Sequence, residues 1–163
     1  MAGRVFPKDT LALVQIGNNF GAPQTLVDKV VEINTNRQAE MAERVIAACD
    51  GSVKGKKIAV LGIAFKPNTD DIREAPSLVI IPALQKAGAK VSAHDPAAME
   101  HAKKVLPDVE WADDAYATMK DADALVIITE WNEFRSLQLD RVASLLKSKN
   151  IVDLRNIYKI SEM

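Results

Sequence analysis

From residue 57 onward the sequence alternates short apolar runs with amphipathic stretches. Lys57–Gly62, Lys90–His94, Val109–Trp111, Ala124–Ile128 and Asn150–Leu154 are the apolar runs, rich in Val, Ile, Leu and Ala. Each is too short for a helix and too continuously apolar for a strand with one wet face, so each predicts a strand buried on both sides. Helices are predicted between them at about 76–87, 97–105, 114–120 and 139–146, with Asp113 able to cap the third. Strands alternating with helices predict a parallel sheet covered on both faces, an α/β Rossmann-like fold.

The first fifty residues follow another pattern. Leu11, Leu13, Val14 and Ile16 predict a short helix, capped by Asp9 or Thr10 and ending near Asn18–Gly21. Pro23 suits the first turn of a second helix that nothing breaks until about Cys49. At 1.5 Å per residue it is a rod of roughly 40 Å. Its apolar positions (Leu26, Val27, Val30, Val31, Ile33, Met41, Val45, Ile46) form a stripe too wide for one surface, which predicts burial on more than one side and makes a partner subunit a candidate second surface. The polar turn Asp50–Gly55 separates the patterns and divides the chain into 1–50 and 51–163.

Composition narrows the class without naming a function. Lys plus Arg number 21 against 22 Asp plus Glu, a net charge of −1, so no global field favours nucleic acid or an anionic membrane. No apolar run approaches the ~20 residues needed to span a bilayer. Cys49 is the only cysteine and cannot form an internal disulfide, which fits a reducing cytoplasm. With two histidines and one cysteine, no metal-ligand spacing is present.

In an open parallel sheet the ligand sits beyond the carboxyl ends of the strands where their order reverses, which directs attention to the loops after the first and fourth strands. The first carries Gly62 but no Gly-x-Gly-x-x-Gly, so no dinucleotide fingerprint is present. It offers Phe65 for stacking on a base and Lys66 for a phosphate or ribose oxygen. The bland alternative puts Phe65 in the core, Lys66 in solvent, and Asp70, Asp71, Arg73 and Glu74 in an ion-pair cluster. In the fourth-strand loop, Trp131 and Phe134 can line a pocket or pack beneath the next helix. Arg155 follows the last strand, where its fork suits phosphate or ribose oxygens; a salt bridge to Asp153 is its alternative. His94 and Asp95 end the second strand, where Asp95-Pro96 reads as a closed turn.

Three segments in register resemble the nucleotide-sugar (UDP-glucose/GDP-mannose) dehydrogenase family. Phe6–Thr10 is similar to its catalytic-loop motif, Val60–Arg73 to the signature of its nucleotide-sugar-binding domain, and Ile151–Asn156 to its final strand. The resemblance implies two Rossmann-like domains joined by a long helix that forms a homodimer. It implies NAD in the first domain and the nucleotide sugar in the second. Its implied activity is NAD-dependent oxidation of the sugar C6 alcohol, UDP-glucose to UDP-glucuronate, through a cysteine-linked thioester. By the same resemblance Asp9 works with water beside the cysteine and Lys8 stands near the reacting centre. Lys66 and Arg155 bind the nucleotide sugar, with Phe65 beside them.

Two departures temper this. Val5 stands where the family has its nucleophilic cysteine, and no NAD domain precedes residue 6. The expectation is a carboxy-terminal fragment that binds a UDP-sugar, holds no NAD itself and is inactive alone. The alternatives are a non-catalytic dimeric scaffold and a dehydrogenase for GDP-mannose or an N-acetylated UDP-sugar.

Overall fold

The computed structural model describes residues 7–159, with side chains from Asp9 onward. Two helices open the chain, α1 (Pro7–Asn19) and α2 (Thr25–Ala48). The alternating part follows as β1 (Lys57–Leu61), α3 (Ser77–Lys86), β2 (Lys90–His94), α4 (Met99–Ala102) and β3 (Val109–Trp111). It continues as α5 (Ala115–Met119), β4 (Ala124–Ile127), α6 (Asn132–Arg135), α7 (Leu139–Leu145) and β5 (Ile151–Asp153). The strands form one parallel sheet in the order β3-β2-β1-β4-β5. The order reverses between β1 and β4, so the crevice expected of a doubly wound sheet opens where those strands end.

Burial explains the uninterrupted apolar strands. Ile58 and Val60 of β1, with Ala124 and Val126 of β4, face a core closed by Val45 of α2 and Ile80, Ile81 and Leu84 of α3. Their chain neighbours Ala59, Leu61, Leu125 and Ile127 face the opposite core, with Met119, Phe134 and Val142. Successive residues of a strand point to opposite faces, and both faces are dry, so no polar alternation survives.

The described chain forms two compact units, Met1–Glu40 and Met41–Met163. The second begins inside α2 rather than at the Asp50–Gly55 turn because Ala42, Val45 and Cys49 are buried in the core beneath the sheet. In the first unit, α1 ends as its sequence suggests: the amide of Ala22 donates to Gly17 O at 2.9 Å and Gly21 takes φ +67°.

Several boundaries differ from expectation for local reasons. Helix α1 starts at Pro7, so Asp9 lies in its first turn and neither Asp9 nor Thr10 is the cap. Pro23 lies before α2 rather than in its first turn. Asp114, not Asp113, caps α5; its extended backbone lets its carboxylate accept from the amides of Tyr116 and Ala117. Helix α4 is shorter than 97–105, with Pro107 disfavouring helical geometry just before it. The loop after β4 contains a short helix, α6, that had no separate signal.

Candidate functional site

The loop after β1 and the loop after β4 are forced into contact at the point where the strand order reverses. Gly62 has φ +88°, and a Cβ placed on it would lie 2.6 Å from Thr129 Cβ and 2.7 Å from Thr129 N. Only glycine allows both the left-handed backbone and that approach. One residue pair further, the Thr129 hydroxyl donates to Ala64 O at 2.6 Å, and both residues are buried. The Ser77 hydroxyl at the start of α3 donates to Ile63 O at 2.6 Å. The path of the β1 loop is thus held from both sides.

Asp95 completes the frame from β2. It is fully buried. Its Oδ2 accepts from the amides of Ile63 and Ala64 at 2.7 and 2.9 Å and from the Trp131 indole at 3.1 Å. Its Oδ1 accepts from the amides of Ala97 and Ala98 at 2.9 and 2.8 Å. The turn reading of Asp95-Pro96 is therefore right but incomplete, since the same carboxylate also ties down the two loops that flank the crevice. A buried carboxylate is tolerated when its lone pairs are satisfied in this way. His94 beside it is nearly buried, with Nδ1 3.0 Å from Ala112 O and Nε2 3.3 Å from Glu133 Oε1.

With the loops fixed, the candidate ligand residues fall at defined places. Phe65 is 39 % exposed, so the core alternative for it does not hold; its ring is available at the surface and its amide donates to Asp71 O at 2.9 Å. Lys66 is half-buried and enters no ion pair among the described residues. Asp71 and Arg73 do form the expected ion pair, with Arg73 Nε and Nη2 donating to the two carboxylate oxygens at 2.9 and 2.8 Å. The Arg73 guanidinium holds the Asp71 carboxyl at about 2, below the ordinary 3.8. Asp71 and Arg73, with Thr69, Asp70, Ile72 and His101, line an open cleft of about 490 Å³. Trp131 and Phe134 are both buried in the core, which settles them as packing residues.

Arg155 is partnered, but not by the Asp153 side chain. Its Nε donates to Glu130 Oε2 and its Nη2 to Glu130 Oε1, each at 2.7 Å. Asp153 instead shapes the loop: Oδ1 accepts from the Arg155 amide, and Oδ2 from the amides of Ile157 and Tyr158. Tyr158 donates its hydroxyl to Phe134 O, anchoring the segment after that loop. Burial pushes the Glu130 carboxyl up, but the Arg155 hydrogen bonds win, and it lies below the ordinary 4.5. In the sequence Glu130 is marked only by its place on the loop after the fourth strand, one residue past Thr129, and its partner Arg155 is twenty-five positions away.

A continuous series of contacts therefore runs along one edge of the sheet. It leads from Ala64, two residues before Lys66 on the same loop, to Thr129, and from the adjacent Glu130 to Arg155. Asp9 of the first unit is exposed on α1. The side chain of Lys8, like Val5 and Phe6, lies outside the described residues.

A sequence profile described as the UDP-glucose/GDP-mannose dehydrogenase family, UDP binding domain, matches residues 59–160. The chain belongs to the UDP-glucose/GDP-mannose dehydrogenase family. It is 51% identical over 161 residues to the UDP-glucose 6-dehydrogenase of Rhizobium meliloti, covering 99% of this chain and 37% of that protein. To the UDP-glucose 6-dehydrogenase TuaD of Bacillus subtilis it is 46% identical, covering 99% of this chain and 35% of that protein. A solved UDP-glucose dehydrogenase from Pyrobaculum islandicum matches it with a TM-score of 0.82 and 34% identity, over 98% of this chain and 35% of that one. The chain thus spans little more than a third of the length of these relatives.

Members of this NAD-dependent family need a dinucleotide site, and the described crevice does not fit one. A pyrophosphate in a Rossmann fold sits on free backbone amides of the first loop. Here the amides of Ile63 and Ala64 are taken by the Asp95 carboxylate, and both residues are fully buried. The space beside Gly62 is filled by Thr129.

Proposed function

We propose that residues 51–163 hold the nucleotide end of a UDP-sugar, with Phe65 stacking on the base and Lys66 and Arg155 contacting diphosphate or ribose oxygens. On this reading the chain corresponds to the carboxy-terminal portion of an NAD-dependent UDP-glucose 6-dehydrogenase, and it is not competent for hydride transfer by itself. The observation that carries the reading is the link between loops: Thr129 joins the Lys66 loop to the β4 loop, and Glu130 joins that loop to Arg155. The match to a UDP binding domain and the names of the relatives support uridine and glucose over the alternatives. No hydride step is assigned to side chains of this chain, because its crevice does not suit the dinucleotide.

Isothermal titration of the 163-residue protein with UDP, UDP-glucose and GDP tests the proposal. UDP and UDP-glucose are expected to bind and GDP to bind more weakly. Each of Lys66→Ala and Arg155→Ala is expected to weaken UDP by about tenfold or more, the value of a hydrogen bond to a charged group. Absence of UDP binding at millimolar concentration sinks the reading. Lys8 and Asp9 keep the roles beside the reacting carbon that the family motif implies, so Asp9→Asn is expected to leave UDP affinity unchanged.

The self-association part of the proposal rests on α2. Leu26, Val30 and Ile33 share one helical face and are 80, 46 and 54 % exposed. An apolar row of that kind supports a homodimer through the first unit. No helix among the described residues is long and apolar enough to cross a membrane. With the lone, buried Cys49, this supports placing the protein in a reducing cytoplasm.

A further inference from the structure

The Glu130–Arg155 pair is more than a surface ion pair in its geometry. A guanidinium carries five N–H donors arranged as two forks, one along the Nε–Nη2 edge and one along the Nη1–Nη2 edge. Glu130 occupies the first fork with two bonds of 2.7 Å. The second N–H of Nη2 and both N–H groups of Nη1 are not used by that contact. Both partners are themselves placed by the fold. Glu130 follows Thr129, which is buried and bonded to Ala64, and Arg155 is turned by the Asp153 carboxylate through its own amide at 2.9 Å. The side chain of Glu130 is 25 % exposed and that of Arg155 42 % exposed, so the pair is partly open to solvent.

We infer that Glu130 is a positioning residue for the nucleotide-sugar site, clamping one edge of the Arg155 guanidinium so that the other edge is presented as a fixed fork to diphosphate oxygens. The inference rests on the reading of Arg155 as a ligand-binding residue. A long arginine side chain in solvent samples many rotamers, and a ligand that captures it must stop that motion; a clamp present before binding removes this cost. The clamp also carries an electrostatic penalty. A carboxylate at 2.7 Å cancels most of the arginine's charge and repels a phosphate. The two effects have opposite signs, so their balance can be read directly from variants.

UDP titrations of Glu130→Ala, Glu130→Gln, Arg155→Ala and the Glu130→Ala/Arg155→Ala double variant decide it, with thermal unfolding as a folding control. If positioning governs, Glu130→Ala weakens UDP by about five- to tenfold, within the range of immobilising one side chain. Glu130→Gln, whose carbonyl still accepts from one edge, falls between Glu130→Ala and the parent. In the double variant the Glu130 change adds no loss beyond that of Arg155→Ala, a coupling that a merely structural role would not produce. If Glu130→Ala does not fold, Glu130→Gln carries the test alone. Tighter UDP binding by either Glu130 variant, or additive losses in the double variant, overturns the inference and makes Glu130 a competitor of the ligand. If Arg155→Ala binds UDP as well as the parent, the site reading itself fails.

Discussion

The carboxylate of Asp95 accepts the indole N–H of Trp131 at 3.1 Å, joining the turn after β2 to the loop after β4 across the end of β1. Trp131 is buried in the same core cluster as Leu61, Ala64 and Phe134, and it brings its one side-chain donor to an acid that also holds the Ile63 and Ala64 amides. One buried acid thereby sets the relative positions of the loops that carry Lys66 and Glu130.

Replacing Asp95 is expected to be among the most damaging single changes in the second unit. In Asp95→Asn one oxygen can still accept, but the amide NH₂ faces donors. The variant should lose about 2–4 kcal/mol of unfolding free energy. Urea unfolding followed by circular dichroism measures this, and a midpoint within error of the parent would show that the five hydrogen bonds contribute little.

Gly62 is the second sensitive point. Gly62→Ala must adopt φ +88° and push its Cβ against the Thr129 backbone, so a loss of about 2–4 kcal/mol is expected from strain and loop displacement. UDP affinity should fall with it, because the displaced β1 loop carries Phe65 and Lys66. A variant as stable as the parent and with intact binding contradicts the close approach.

Along α2 the exposed residues make an association prediction. Val30→Asp and Leu26→Asp are expected to lower the mass measured by light scattering from dimer to monomer. Since both side chains are exposed in the single chain, the second unit should keep its unfolding midpoint. A parent protein that is monomeric at high micromolar concentration removes the dimer from the proposal.

Titration of both acids should shift upward when the partner arginine is lost. Asp71, held at about 2, contributes stability that is fully present above its ordinary 3.8 and is lost as pH falls towards 2. In Arg73→Ala its NMR-monitored titration should return to near 3.8. Glu130 is held below 4.5 by Arg155 against the effect of burial, so its contribution is likewise present above 4.5 and lost on acidification. In Arg155→Ala burial is left unopposed by that partner, and the Glu130 titration should move upward. A Glu130 titration unmoved by Arg155→Ala contradicts the pairing.

What the chain by itself determined is its architecture. Apolar runs of β-branched residues, bounded by Gly, Pro and Asp and alternating with helical periodicity, placed β2 and β3 to the residue and the others within one or two, because strand and helix formation depend on neighbours a few positions apart. The Phe65-Lys66 and Arg155 loops were legible for the same reason, since a parallel sheet sends every loop after a strand to one edge. Partnership was decided only by the tertiary structure. Asp113 and Asp114 are equivalent in composition, and the backbone of the second makes it the cap. Arg155 lies two residues from Asp153 and twenty-five from Glu130, yet its guanidinium takes Glu130, because Asp153 is occupied by backbone amides and β4 pairs beside β5. Asp95, which the sequence marks only as a turn residue, becomes the acid on which three loops converge, since hydrogen bonds between distant positions arise from the strand order and not from local pattern.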